Sequence, residues 1–122
     1  MKMKVLCGLI SLLSLVACGQ ADPVPYEAIT WLNSYYIQHP ARSLGASGGG
    51  WLFRGAKDLG GELRVGYLIP EVIKGDRDNR QAILRQVCPP KFEKIWRILP
   101  SENKLVIMVW TEDNKFEDSI VC

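Results

Sequence analysis

Hydrolytic catalysis needs a nucleophile beside a base, or two acids facing each other across a cleft. The chain offers little of either. Its single histidine, His39, stands at a His-Pro step where an apolar-periodic segment ends. Ser43, Ser47, Ser101 and Ser119 lie in no nucleophile motif. The acids pair in turn sequences, Glu112 with Asp113 and Asp76 with Asp78, where carboxylates solubilise or cap. Asp76-Arg77-Asp78-Asn79-Arg80 begins like a calcium loop, but it continues with arginine and no glycine. Gly48-Gly49-Gly50 precedes a strand pattern, and no Gly-Lys-Ser/Thr follows, so it reads as a connector rather than a phosphate loop. His39 and the distant Cys88 and Cys122 do not make a tetrahedral ligand set. These residues predict a protein that is not an enzyme and that takes no metal and no cofactor.

Cys18 has different chemistry written around it. Lys2 and Lys4 precede an apolar run from Val5 to Val16. That run is about twelve residues, roughly 18 Å as a helix, against a hydrocarbon core of ~30 Å. It has the length of a signal-peptide core rather than of a membrane span. It ends in Leu15-Val16-Ala17-Cys18. This segment resembles the lipobox of bacterial lipoproteins. The resemblance implies that residues 1–17 are a leader that is cut away, that the Cys18 thiol carries a diacylglyceryl group and that the new amine is acylated. Each buried methylene contributes about 0.8 kcal/mol, and stable anchoring takes more than one chain. Gly19 stands where an aspartate would retain a lipoprotein at the inner membrane. The resemblance therefore implies an outer-membrane address, on the periplasmic face.

Several expectations follow from that leader. Its removal leaves about 105 residues, enough for one core and too few for two. Residues 18–25 then read as the lipidated cysteine and a proline-stiffened tether, and residues 26–122 as one α+β domain. Without Lys2 and Lys4, 13 of the 15 Lys+Arg remain and balance the 13 Asp+Glu. A neutral domain argues against a nucleic-acid binder, which would show a clustered basic excess. Cys7 leaves with the leader and Cys18 is lipidated, so Cys88 and Cys122 remain as a pair in an oxidising compartment. A bridge between them closes a loop of about 33 residues, worth roughly 3–4 kcal/mol in the chain-entropy model.

The elements that must hold these residues can be read in order. Ala28, Ile29, Leu32, Tyr35 and Tyr36 recur at helical spacing and predict a helix over Tyr26 to Gln38, stopped by Pro40. Trp51 to Ala56 reads as a strand. Asp58-Leu59-Gly60-Gly61 is a turn signal. In Glu62 to Ile69, Leu63, Val65, Tyr67 and Ile69 alternate with Glu62, Arg64 and Gly66, which predicts a half-buried strand forming a hairpin with the first. Gly75 to Cys88 predicts a helix capped by Asp76 or Asp78, with Arg77, Arg80 and Arg85 on its wet side and Pro89-Pro90 as its stop. Phe92, Trp96 and Ile98 suggest a further strand, Leu105 to Trp110 a central one apolar on both faces, and Phe116 to Cys122 the last. The order α-β-β-α-β-β-β predicts an α+β domain: an antiparallel sheet with two helices packed on one face.

With catalysis set aside, binding remains. Trp31, Trp51, Trp96 and Trp110 are many indoles for so small a domain. Tryptophan serves both core packing and interface hot spots. Trp110 reads as core. Trp51, beside Gly49 and Gly50, reads as an exposed anchor for a protein partner. The leading expectation is a non-catalytic lipoprotein, joined to the membrane through its lipid, that docks on a larger envelope complex for secretion, conjugation or outer-membrane assembly. Two others stand beside it. One is an inhibitor or immunity-type lipoprotein that uses a rigid acidic tip such as Glu112-Asp113-Asn114 against a cell-wall or membrane-targeting enzyme. The other is a small lipid or ligand carrier whose helices form a lid.

Overall fold

A computed structural model describes residues 22–39 and 50–122. Helix α1 (Tyr26–Gln38) has the bounds its periodicity predicts and buries Ala28, Leu32 and Tyr36. Strands β1 (Leu52–Leu59) and β2 (Glu62–Ile69) form a hairpin. Its two-residue turn is Gly60-Gly61, both at positive φ, the conformation that a tight hairpin with the sheet's own twist requires. Helix α2 (Arg77–Arg85) begins at Asp76, whose carboxylate accepts the Asn79 N–H at 2.9 Å. The short helix α3 (Ile95–Ile98) follows, then β3 (Leu105–Thr111) and β4 (Glu117–Val121).

The four strands stand in sheet order β1-β2-β3-β4, and the sheet is mixed. β1 and β4 each run antiparallel to their neighbour, but β2 and β3 are parallel, with Leu63 opposite Leu105 and Ile69 opposite Thr111. This corrects the expectation of an antiparallel sheet. The chain leaves β2, passes through α2 and α3, and returns to the same end of the sheet, and a crossover of that kind can only deliver a parallel strand. A second correction concerns Phe92 to Ile98, read as a strand. Ile95 and Leu99, one helical turn apart, face the core, and Phe92 is exposed. An i, i+4 pair outweighs the alternation of Phe92, Trp96 and Ile98.

One hydrophobic core joins these elements. Leu63, Val65, Tyr67 and Ile69 of β2 and Leu105, Ile107 and Val109 of β3 cluster with Ala28, Leu32 and Tyr36 of α1, Leu84 of α2, Ile95 of α3 and Ile120 of β4. The Tyr36 hydroxyl donates to the Val87 carbonyl at 2.5 Å, tying α1 to the end of α2. Burial pushes the Tyr36 phenol far above the usual tyrosine range, and that of Tyr67 likewise. Among the described residues, the Tyr67 hydroxyl is buried without a hydrogen-bond partner. Cys88 and Cys122 form a disulfide with their Cα atoms 5.7 Å apart. It joins the end of α2 to the end of β4.

The domain begins earlier than its sequence suggests. Val24, expected in the tether, is 6% exposed and belongs to the core. Its N–H donates to Asp58 Oδ2 at 3.0 Å. Asn103 is buried and gives both hydrogens of its side-chain amide, to the Asp22 carbonyl at 2.8 Å and to the Gly61 carbonyl at 2.6 Å. This clamp fixes the chain from Asp22 onward against the β1–β2 turn.

Candidate functional site

The sheet has a second face, opposite the core side chains of β2. Its residues follow from the pairing register: Lys57 lies opposite Arg64, Gly55 opposite Gly66, Gly66 opposite Met108 and Leu68 opposite Trp110. A bulge between Phe53 and Gly55 sets Arg54 on this surface. Arg54, Gly55, Lys57, Leu59, Arg64, Gly66, Met108 and Trp110 surround a shallow pocket of about 320 Å³.

Two features of this pocket run against ordinary sheet construction. Lys57 and Arg64 are like charges directly opposite each other on adjacent strands, an arrangement that destabilises a sheet. Glu62 relieves part of it by accepting from Arg64 Nε at 2.6 Å. Arg54 and Lys57 have no ion-pair partner among the described residues. The second feature is Gly66 in the interior of a strand. A Cβ there would lie 3.0 Å from Cη2 and Cζ3 of Trp110, so the glycine gives the indole room to lie along the sheet. Trp110 is therefore half-buried on the outer face rather than core, which corrects its expected place. The pocket combines cations with an apolar floor of Met108, Trp110 and Leu59. That set can hold an anionic group beside an apolar one.

Both sheet edges carry a side chain that takes a backbone N–H. On β1, the Ala56 N–H donates to Asn33 Oδ1 at 3.1 Å, and Asn33 is fixed in turn by donating to the Ile29 carbonyl. On β4, the Ser119 N–H donates to Asp118 Oδ1 at 2.8 Å. Asp118 also receives Arg80 Nε at 3.2 Å. Side chains in these positions blunt strand addition.

The residues singled out in the sequence fall in several places. Cys18 and Gly49 lie outside the described residues. Gly50 opens the second described segment, and Trp51 after it is 8% exposed, with its ring 6.0 Å from that of Tyr67. The exposed anchor expected there is thus overturned: Trp51 fills the core just before the start of β1, where Tyr67 and Phe53 supply an aromatic wall. His39 stacks on Tyr35 at 4.4 Å, with Nδ1 2.9 Å from the Tyr35 carbonyl. Arg80, expected on a wet face, is spent on Asp118 and the Gly75 carbonyl. Asp113 accepts from the Thr111 hydroxyl at 2.7 Å and the Lys115 N–H at 3.1 Å, and these bonds hold its carboxyl below the usual range. The outer-face set of Arg54, Lys57, Arg64 and Trp110 was not anticipated. Its signal was the alternation of Arg64 and Gly66 away from the core, with the cations of β1 two strand positions apart across a bulge.

Among the described residues, no three or more histidine, cysteine or acidic side chains cluster to hold a metal ion, and no helix is long and apolar enough to cross a membrane. No family model matches the chain, and neither a curated protein nor a solved structure is significantly similar to it.

Proposed function

We propose that this chain is a non-catalytic, lipid-anchored protein of the bacterial outer membrane that docks on a larger envelope complex. In this reading Cys18 carries the lipid, and the outer face of the sheet makes the contact. The observation that carries it is the pocket over Gly66. A like-charged cross-strand pair and a strand glycine both weaken the fold locally, and departures of this kind concentrate where function requires them. Arginine and tryptophan are also the side chains enriched at binding hot spots. With an N–H on each sheet edge already taken, a partner is better received on the face than by strand addition.

The inhibitor-type alternative has one observation in its favour. The turn from Glu112 to Lys115 is ordered by a compact set of bonds: Asn114 N–H to the Thr111 carbonyl, Phe116 N–H to Thr111 Oγ1 and those on Asp113. It presents Glu112 and Asp113 to solvent. The carrier alternative is the weaker, because Leu32, Tyr36, Tyr67 and Ile107 already fill the space between α1 and the sheet.

Site-specific photo-crosslinking in cells tests the docking face. A crosslinker at Lys57 or Met108 should give one discrete adduct that is lost on Trp110→Ala, and the same probe at Gln86, exposed at the end of α2 and away from the pocket, should give none. Equal labelling from Gln86, or an adduct indifferent to Trp110→Ala, would overturn the assignment. Cys18→Ser should leave the leader uncut and unacylated; unchanged processing would refute the anchor.

A further inference from the structure

We infer that the end of the domain bearing the Asn103 clamp lies on the bilayer surface, with the groove beside Trp96 set into the headgroup region. This rests on the lipid anchor proposed above. The argument starts from reach. The chain is fixed from Asp22, and Cys18 is four residues away. An extended chain covers at most ~3.3–3.6 Å per residue, so the lipidated cysteine stays within about 14 Å of the clamp. A domain of about 100 residues has a radius of gyration of roughly 13 Å. The tether is therefore only about as long as that radius and well short of the domain's full width, and the far end of the domain cannot turn down to the lipid.

The surface at the clamp suits that neighbour. Asn103 and Lys104 line a groove of about 500 Å³ whose other walls include Trp96, Leu99, Leu105 and Val121. Val121 is 51% exposed. Trp96 is half-buried, with its Nε1–H donating to the Pro89 carbonyl at 3.0 Å and Lys91 Nζ 4.0 Å above its ring. Lys104 is exposed. An indole flanked by lysines above aliphatic side chains is the composition that settles at the boundary between headgroups and acyl chains. The groove and the docking face are separate surfaces, so the anchor would present the outer sheet face sideways to a partner in the same membrane.

The test uses the full lipidated protein in vesicles of phosphatidylethanolamine and phosphatidylglycerol with brominated acyl chains, which quench indoles near the interface. The protein should float with the vesicles, and part of its tryptophan emission should be quenched. The quenched intensity should fall at least twofold in Trp96→Phe and stay unchanged in Trp110→Phe. Insertion of ten Gly/Ser residues between Gly19 and Gln20, which leaves the folded part untouched, should reduce the quenching while flotation persists. Flotation without quenching overturns the inference, as it would if the groove held the protein's own unbrominated acyl chain or stood open to water. Quenching that survives Trp96→Phe or the insertion overturns it as well. Failure to float removes the lipid anchor itself.

Discussion

Replacing both Cys88 and Cys122 by serine should cost the fold much of its margin. The bridge spans a sequence separation of 34. In the chain-entropy model a loop of that size lowers the entropy of the unfolded chain by about 12–13 cal/mol/K, or about 4 kcal/mol at 25 °C. Small domains are stable by only about 5–15 kcal/mol, and each kcal/mol moves Tm by about 4–8 °C at this size. The double serine variant should therefore melt about 15–30 °C below the oxidised protein, read by circular dichroism. The loss has a structural focus. Among the described residues, β4 is an edge strand of five residues that pairs only with β3. Its Ile120 enters the core, and the bridge begins two residues later. Reduction of the parent with a thiol reagent should reproduce the shift, which separates loss of the link from loss of sulfur packing. A shift below about 5 °C in both would refute the entropic account and show that β4 is held by its own contacts.

Further outcomes follow from the aromatic core. Trp51→Ala should lower stability by about 3–5 kcal/mol, the usual cost of emptying a buried aromatic site; a melting temperature equal to the parent's would show that the indole is not packed. Tyr67→Phe should stabilise the domain by about 1 kcal/mol or more, since it removes a buried hydroxyl that has no partner among the described residues; destabilisation in chemical denaturation would mean that the hydroxyl is satisfied. Tyr36 and Tyr67 are held protonated in the folded state, so their contribution is complete below the unfolded tyrosine value near 10 and is lost as pH rises above it. Denaturant midpoints should accordingly fall steeply above pH 10, and a flat profile to pH 12 would contradict the burial of both phenols.

Much of the fold was legible because single elements obey local rules. The 3.6-residue recurrence of Ala28, Leu32 and Tyr36, the alternation of Leu63, Val65, Tyr67 and Ile69, and the Gly60-Gly61 turn each state their own structure. The Asp76 cap was readable for the same reason. What failed required knowledge of neighbours. Alternation in β2 and β3 says which side chains share a face, not whether the strands run alike, and that is decided by the crossover through α2 and α3. The helix α3 is only four residues long, too short for periodicity to outweigh the pattern around it. Trp51 looked exposed because glycines precede it, yet its place is set by Tyr67, sixteen positions on. Trp110 looked buried because β3 is apolar throughout, yet its indole lies over Gly66. The candidate site was hidden because a cross-strand register, absent from any linear pattern, brings Lys57 to Arg64.

The central parallel pair also has a consequence for how the chain folds. The β1–β2 hairpin is local and can form within microseconds to tens of microseconds. The pairing of Leu63 with Leu105 must close the whole crossover first, and the clamp joins Asp22 to Asn103 across 81 positions. Contacts so distant raise the contact order and slow folding. The residues that complete the sheet, fix the amino-terminal segment and bring Cys122 to Cys88 all lie in the last part of the chain. A polypeptide built in this order stays open until its final strands have arrived.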